Sequence, residues 1–320
     1  MTVVEIPSIT LPLTLSKIPA IAFGSGTVWK SPSRGAKVTE PVPLNEPLIE
    51  SLTNAIEVGF RHIDTAEAYL THAEVGEAIK RSGVERSELF VTDKYSASSF
   101  ARTESSGPYQ SAVTALKELG LDYLDLFLIH VPSIPVELQD KLTLKTMWKQ
   151  MERLVQEGVV KNIGISNFTV ENLQEIMDGC EIKPQIHQIE FHPYLQNQTP
   201  GIKKFNDDNG IVTAAFSPLV PLSRAKPGPL DDTVASLAAK YNRSEAQILL
   251  RWVYQSGVLP VTTSSQKERL QDALDMFQFE LEEEDFNTVT ELGKKKFFRA
   301  AIQGILGKYD EELQQELGLL

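Results

Sequence analysis

The chain has 320 residues, of which 42% are hydrophobic and 23% are charged, and its formal net charge is −12. This composition is ordinary for a globular protein that buries a sizeable core. The acidic balance argues against a nucleic-acid partner, because nucleic-acid binding needs a basic surface. No stretch reaches the roughly 18 consecutive apolar residues of a membrane helix, so we expect no membrane partner either.

The only cysteine of the sequence is Cys180, which excludes an intrachain disulfide and a multi-cysteine metal site. A single cysteine fits a reducing compartment. The N-terminus lacks the basic start and apolar run of a signal peptide. We therefore expect a cytoplasmic protein, and we expect a monomer or weak dimer.

Short β-rich runs alternate with longer amphipathic segments along the chain. The predicted strands cover residues 18–23, 62–65, 89–94, 123–130, 162–166, 185–191, 211–216 and 258–262. The predicted helices cover residues 50–58, 74–81, 109–119, 146–156, 170–178 and 244–254. Ser244, followed three residues later by Gln247, has the spacing of a capping box. Residues 10–15 are expected to form an N-terminal hairpin with the first strand region.

Eight strands separated by helices predict a parallel sheet, because parallel neighbours need a long crossover connection. Eight such strands also close a barrel. The predicted fold is therefore α/β, a (β/α)8 TIM barrel with an N-terminal hairpin and a C-terminal substrate loop. No Pro/Ser-rich linker divides the chain, so residues 1–320 are expected to form a single barrel domain.

Polar residues end four of the predicted strands. Asp64, Lys94, His130 and Ser166 follow one another at intervals of 30, 36 and 36 residues, the length of one strand–helix unit. The C-terminal ends of barrel strands open onto one mouth, where barrel enzymes place their chemistry. We therefore expect these side chains to lie close together.

Tyr69 follows Asp64 by five residues, so it is expected at the same mouth. A phenol with a pKa of about 10 is a poor proton donor at neutral pH. A buried Lys94 ammonium is expected to lower that pKa, and Asp64 to keep Lys94 protonated. His130 can donate to a carbonyl oxygen. Taken singly, Asp64 could cap a helix, Lys94 could be a surface charge and His130 a core histidine; together the four residues suit protonation of a developing alkoxide.

Recognisable motifs lie along nearly the whole chain and include Gly24-Ser-Gly26, His62-Ile-Asp-Thr-Ala66, Leu126-Phe-Leu-Ile-His130, Lys161-Asn-Ile-Gly-Ile-Ser-Asn167, Pro184-Gln-Ile-His-Gln-Ile-Glu190 and Phe216-Ser-Pro-Leu219. In this order they resemble the aldo-keto reductase superfamily. Thr92-Asp-Lys-Tyr95, in place of the commoner Thr-Ser-Lys-Leu, and residues 191–200 are similar to the conjugated polyketone, ketopantoyl-lactone and α-keto-amide reductases of yeasts. The resemblance implies a catalytic tetrad with Tyr69 as the acid, completed by Asp64, Lys94 and His130.

The resemblance also implies that NADPH binds across the barrel mouth without a Gly-rich Rossmann turn. The implied contacts are Gly24, Ser25 and Gly26 after the first strand, Ser166, Asn167 and Gln188 at the carboxamide, Phe216 stacking on the nicotinamide, Ser217, Leu219 and Leu222 at the pyrophosphate, and Thr263, Ser264, Ser265 and Arg269 at the 2′-phosphate. Thr263 replaces the usual lysine of the family and Ala273 its usual asparagine, so the preference for NADPH rests on fewer contacts. Glu190 is expected to be structural support.

The predicted function is NADPH-dependent reduction of ketones and aldehydes, with a small-molecule carbonyl substrate. Favoured substrates are α-keto lactones, α-keto esters or amides, and diketones. An apolar substrate wall is expected from Trp29, Tyr95, Val131, Pro132 and Phe298. Alternatives are an aldose or aliphatic aldehyde reductase and a non-catalytic NADPH-sensing subunit, although the complete tetrad weighs against the sensor. No metal site is expected, because no set of residues meets the ligand count of a metal.

Overall fold

The computed structural model describes residues 5–29, 43–97 and 107–320. The strands in these ranges are β1 (Ser8–Thr10), β2 (Lys17–Pro19), β3 (Ala22–Gly24), β4 (His62–Asp64), β5 (Phe90–Tyr95), β6 (Leu124–Ile129), β7 (Val160–Ser166), β8 (Ile186–Glu190), β9 (Val212–Phe216) and β10 (Val258–Thr262). The α-helices there are α1 (Glu46–Val58), α2 (His72–Ser82), α3 (Pro108–Leu119), α4 (Leu144–Gln156), α5 (Val170–Met177), α6 (Ile202–Asp208), α7 (Asp231–Tyr241), α8 (Glu245–Gln255), α9 (Lys267–Leu274), α10 (Glu283–Gly293), α11 (Gln303–Leu306) and α12 (Asp310–Glu316).

Eight of these strands close a barrel in the order β10-β3-β4-β5-β6-β7-β8-β9, and each neighbouring pair is parallel. Each of the eight predicted strand regions overlaps one barrel strand. The predicted (β/α)8 barrel is therefore confirmed. In the described ranges no helix is both long enough and apolar enough to span a bilayer.

The N-terminal hairpin is formed by β1 and β2, with Ile9 opposite Ile18. The predicted strand at residues 18–23 therefore holds two elements, because β2 ends in the hairpin and β3 begins in the barrel. Residues 10–15 lie mostly in the turn, so the pairing strand is β1 and not the segment predicted. Leu11 and Ile18 are fully buried against Phe90 and Ile186, which begin their strands. The hairpin thus covers the N-terminal end of the barrel.

The alternation of β5 separates two apolar layers. Phe90 belongs to the cluster inside the barrel, whereas Val91 and Tyr95 belong to the larger cluster between the strands and the surrounding helices. Lys94 shares the inward face with Phe90. Its charge therefore enters the barrel at the C-terminal end of the strands.

The capping box predicted at Ser244 and Gln247 is present at the beginning of α8. The Ser244 hydroxyl accepts from the Gln247 backbone N–H at 3.2 Å, and Gln247 Oε1 accepts from the Ser244 N–H at 2.7 Å. This reciprocal pair is the predicted capping box, and α8 begins directly after it.

Candidate active site

A cavity of about 620 Å³ opens at the C-terminal ends of the barrel strands. The residues in its wall that the sequence indicated are Gly24, Gly26, Asp64, Tyr69, His130, Asn167, Gln188, Phe216, Ser217, Leu219 and Thr263. The wall residues that the sequence did not indicate are Pro218, Val220, Ser223, Arg224, Val261, Thr262, Ala301 and Ile302. Three strand-end residues expected to meet here, Asp64, Lys94 and His130, are brought to this mouth.

A buried ion pair lies at the floor of the cavity. Lys94 Nζ donates to Asp64 Oδ1 at 2.5 Å and to the Thr65 carbonyl at 2.8 Å. Gln188 Nε2 donates to the other Asp64 oxygen at 2.8 Å. Burial by itself lowers the pKa of Lys94, but the negative charge of Asp64 opposes burial and the net effect is a raised pKa. Lys94 therefore remains an ammonium ion at neutral pH.

Tyr69 lies on a short 3₁₀ turn, Glu67–Tyr69, just after β4. Lys94 Nζ is 5.2 Å from the centre of its ring, and the His130 ring meets it edge-on at 5.6 Å. Burial raises the pKa of Tyr69, and the nearby Lys94 charge only partly offsets this. The expected lowering of the phenol pKa by Lys94 is therefore outweighed by burial. The phenol keeps its proton across the neutral range, so a proton is available to donate.

Gly26 leaves room for the Tyr69 ring. A Cβ added at Gly26 would lie 2.8 Å from two ring carbons of Tyr69, closer than real Cβ contacts allow. Any side chain at this position would therefore displace the phenol. The loop after β3 therefore lies against one side of the Tyr69 ring.

The amide of Asn167 is held by its neighbours. Its Nδ2 donates to the His130 carbonyl at 2.9 Å and to the Ser166 hydroxyl at 3.0 Å, and its Oδ1 accepts from Gln198 at 2.8 Å. Asn167 adopts the left-handed region at φ 62°, which asparagine tolerates better than most residues. Ser166 is fully buried, so its hydroxyl supports Asn167 from behind the cavity wall. Gln198 was not among the predicted site residues, although it lies in the segment 191–200 that resembles the yeast reductases.

Glu190 anchors the C-terminal loop to the barrel. Its carboxylate accepts from the backbone N–H of Ala300 at 2.6 Å and of Ala301 at 2.9 Å. It also contacts His192 Nε2 at 3.1 Å. Ala301 and the next residue, Ile302, both line the cavity. The expected structural role of Glu190 is thus to hold one wall of the cavity.

Arg224 joins two walls of the cavity. One guanidinium nitrogen donates to the Ala300 carbonyl at 3.0 Å and another contacts the Ser217 hydroxyl at 3.4 Å. It therefore links the loop after β9 to the C-terminal loop. Arg224 was not among the predicted site residues, and its position shortly after the end of β9 was the available signal.

The structure does not bring the predicted substrate wall to the cavity. Tyr95 is fully buried, because strand alternation turns it toward the helices; its assignment is corrected on that ground. Trp29 donates from Nε1 to Thr263 Oγ1 at 3.0 Å and so stands behind a wall residue. Val131, next to His130, is 9% exposed, and Phe298 packs against the outer core. None of these four is among the described residues that line the cavity.

The remaining predicted cofactor residues lie away from the cavity wall. Ser25 is fully buried, and its hydroxyl faces protein groups. Ser264 accepts from the Gln266 N–H at 3.0 Å just before α9. Ser265 is exposed just before α9, and Arg269 is exposed on that helix. Hydroxyls and a guanidinium at this helix start form a group that can contact an anion at the surface.

A metal centre receives no support from the described part of the chain. No group of three or more His, Cys, Asp or Glu residues there could hold a metal ion. His187, for example, is buried between the Asn206 amide and the Phe168 N–H, at 3.1 Å from each. Burial lowers the pKa of His187 to about 4, so the imidazole is neutral and serves the packing of the loop.

Comparison with known proteins identifies the family. The model of the aldo/keto reductase family matches residues 35–294. An NADPH-dependent alpha-keto amide reductase of Saccharomyces cerevisiae is 43% identical over 94% of this chain and 96% of its own length. An NAD/NADP-dependent indole-3-acetaldehyde reductase of Schizosaccharomyces pombe is 37% identical over 87% and 92%. The crystal structure of a Bombyx mori aldo-keto reductase in complex with NADP has a TM-score of 0.77 and 30% identity, covering 94% of this chain and 97% of that one.

The chain belongs to the aldo/keto reductase family. The resemblance to this family, and within it to a yeast α-keto amide reductase, is confirmed. The chain is accordingly an oxidoreductase of this class.

Proposed function

We propose that this chain reduces activated ketones and aldehydes with NADPH, and that Tyr69 is the general acid. The observation that carries the proposal is the buried Asp64–Lys94 ion pair beside the Tyr69 phenol at the mouth of the barrel. Perturbed titratable groups in a cleft are typical of functional sites.

The cofactor is NADP(H), as the sequence analysis predicted. One relative is named as NADPH-dependent and one similar structure holds NADP. The cavity suits a nicotinamide ring, because the amides of Asn167 and Gln188 can meet a carboxamide while the flat ring of Phe216 lines the same wall. Arg269 with Ser264 and Ser265 would hold the 2′-phosphate at the beginning of α9. When bound, the nicotinamide supplies the hydride.

Side chains of the protein supply the proton and stabilise the phenolate that its transfer leaves. Tyr69 donates its hydroxyl proton to the oxygen of the substrate carbonyl, a step for which a positioned acid contributes about 10²–10⁴-fold in rate. The Lys94 ammonium stabilises the phenolate that results, and Asp64 keeps that ammonium charged. His130, at the edge of the Tyr69 ring, orients the carbonyl oxygen by donating to it.

For the substrate we propose compact carbonyl compounds activated by a neighbouring carbonyl group, with α-keto amides first among them. The alpha-keto amide reductase relative supports this class. The wall is apolar at Val261, Ala301 and Ile302 and presents the Arg224 guanidinium nearby. A guanidinium can donate a hydrogen bond to the second carbonyl oxygen of such a substrate.

Aldehyde reduction is the second candidate, since a relative is named an indole-3-acetaldehyde reductase. NADPH oxidation with an α-keto amide and with an aliphatic aldehyde of equal size separates the two. We expect kcat/KM to be at least about tenfold higher for the α-keto amide, because each 1.4 kcal/mol of extra transition-state binding is a factor of ten. The reverse order would favour the aldehyde reductase, and NADPH binding without turnover would indicate a sensor subunit.

We further propose that residues 1–320 form one barrel domain that acts in the cytoplasm as a monomer or weak dimer. The cavity walls come from one barrel, which supports a site complete within one chain. Gel filtration at assay concentration tests the oligomeric state; a stable higher oligomer would contradict it.

A further inference from the structure

Tyr69 is carried by a short connection between β4 and α2 whose two ends are Thr65 and Thr71. Inside it the Tyr69 N–H donates to the Ala66 carbonyl at 2.9 Å. Leu70 adopts φ 61°, the left-handed region that bulky residues avoid. A connection with an unfavourable backbone conformation needs outside contacts to hold its path.

The two ends of this connection are joined by a hydroxyl of another loop. The Ser25 hydroxyl donates to Thr65 Oγ1 at 2.8 Å and lies 3.0 Å from Thr71 Oγ1. The two threonine hydroxyls are themselves 3.4 Å apart. All three residues are fully buried. Ser25 therefore bridges both ends of the segment that presents the phenol.

Thr71 shows that this bridge takes precedence over an ordinary helix cap. Thr71 occupies the N-cap position of α2, where a threonine hydroxyl commonly accepts from the first turn of the helix. Its side chain makes no capping hydrogen bond. The hydroxyl meets Ser25 and Thr65 instead. The Thr71 hydroxyl therefore holds the connection that carries Tyr69 and does not cap α2.

The same bridge reaches the ion pair. The Thr65 carbonyl accepts from Lys94 Nζ at 2.8 Å, and the Ser25 N–H donates to the Asp64 carbonyl at 2.9 Å. A Cβ at Gly26, the residue after Ser25, would overlap the Tyr69 ring, so the backbone there lies beside the phenol. A shift of Ser25 would thus be felt by the phenol and by the groups that hold the ammonium.

We propose that Ser25 is a positioning residue for Tyr69, acting through Thr65 and Thr71. This inference rests on the proposed function, in which Tyr69 is the acid. It differs from the cofactor role that resemblance implied for Ser25, because the hydroxyl faces the protein interior. Proton donation needs heavy atoms about 2.6–3.2 Å apart, and a displacement of about 1 Å can cost about 10²-fold in rate.

Ser25→Ala and Thr71→Val each remove one hydroxyl of the bridge. We expect kcat to fall about tenfold in each, with KM for NADPH changed less than about twofold, because the positioning of the acid is lost and the cofactor wall is not. We also expect the solvent deuterium isotope effect on kcat to rise, since proton transfer becomes slower relative to the other steps. A residue that served stability alone would not change the isotope effect.

Ser51→Ala is the matched control. Ser51 is also a buried serine, 3% exposed, and its hydroxyl donates to the Pro47 carbonyl at 2.9 Å within α1, outside the site. We expect its melting temperature to fall about as much as that of Ser25→Ala, with kcat and the isotope effect unchanged. The control separates the loss of a buried hydrogen bond from the loss of positioning.

The inference is overturned if Ser25→Ala and Thr71→Val keep the kcat of Ser51→Ala. It is also overturned if KM for NADPH rises while kcat is kept, because Ser25 would then belong to cofactor binding. Failure of the proposed function has another signature: Tyr69→Phe would retain turnover whatever the Ser25 variants do.

Discussion

The Lys94 ammonium lies 2.5 Å from the Asp64 carboxylate, and the two side chains are 0% and 3% exposed. Burial of one charge without the other would strongly favour its neutral form. The pair therefore keeps a charged group inside the barrel, next to the phenol that we propose as the acid. The chemistry of the site depends on this charge being retained at the working pH.

Asp64→Asn tests the role of the carboxylate. Without it, burial lowers the pKa of Lys94 against much weaker opposition, so the ammonium loses its proton at a lower pH than in the native protein. We expect the kcat of Asp64→Asn to be lower than that of the native enzyme and to fall at a lower pH as the pH is raised.

Asp125→Asn is the control for that profile. Asp125 is another buried carboxylate, paired with Arg86 at 2.7 Å and Lys161 at 3.1 Å near the beginning of β6. We expect this variant to lose stability but to keep the native pH profile. A parallel pH profile for Asp64→Asn would contradict the assigned role of Asp64.

A second buried cation gives the fold a pH-dependent stability. His72 at the beginning of α2 places Nε2 2.9 Å from Asp93 and Nδ1 2.8 Å from Glu118. Burial opposes its charge, but the two carboxylates dominate and raise the pKa of His72 to about 10 from 6.5. The raised folded-state pKa means that this contribution is complete below about pH 6.5 and is lost as the pH rises through about 10.

We expect urea unfolding to show a free energy that falls by a few kcal/mol between pH about 6 and about 10, at about 1.4 kcal/mol per unit of pKa shift. The double variant His72→Gln/Asp93→Asn replaces the central pair with neutral amides. Its unfolding free energy should fall much less over the same range. Equal slopes for both proteins would rule out His72 as the source.

Glu190→Gln tests how the C-terminal loop holds the cavity wall. The amide keeps one acceptor for the Ala300 and Ala301 N–H groups but loses the charge and the second oxygen. Hydrogen bonds to a charged group contribute about 1.5–3 kcal/mol. We expect KM for the carbonyl substrate to rise about tenfold with KM for NADPH unchanged. An unchanged substrate KM would show that the loop does not contact substrate.

Arg269→Ala tests the 2′-phosphate contact. We expect KM for NADPH to rise about tenfold with little change for NADH, because only NADPH carries the 2′-phosphate. Lys267→Ala is the matched control, since Lys267 lies on the same helix and is paired with Glu57 at 2.7 Å. Equal effects of Arg269→Ala on both cofactors would remove Arg269 from the phosphate site.

The sequence predicted the barrel and the meeting of the tetrad because both depend on spacing. Asp64 ends β4, Lys94 lies one residue before the end of β5, and His130 follows β6 directly. Strand periodicity and strand-end position are local patterns, and a closed parallel barrel turns them into proximity. Tyr69 was found in the same way, as the phenol that follows the first of these ends.

The walls of the cavity were harder to predict than the strand ends, because loops lack the periodic pattern of apolar residues that marks strands and helices. Ala301 and Ile302 line the cavity because the Glu190 carboxylate accepts hydrogen bonds from the backbone N–H groups of Ala300 and Ala301. These partners are far apart in the sequence, so no local pattern indicates the contact. Tyr95 was wrongly predicted to line the cavity because it is next to Lys94 in the sequence. Successive side chains of a strand point to opposite faces, so Tyr95 faces away from the cavity. The raised pKa of Tyr69 likewise reflects burial, which the sequence does not show.

The most direct test of the account is the turnover of Tyr69→Phe, compared with Tyr109→Phe. Tyr109 is a phenol on the outer helices, where it donates to Glu157 Oε2 at 2.5 Å. With an α-keto amide and saturating NADPH, we expect the kcat of Tyr69→Phe to fall about 10²–10⁴-fold with NADPH affinity retained, and Tyr109→Phe to match the native enzyme. Native-like turnover by Tyr69→Phe would contradict the assignment of Tyr69 as the acid.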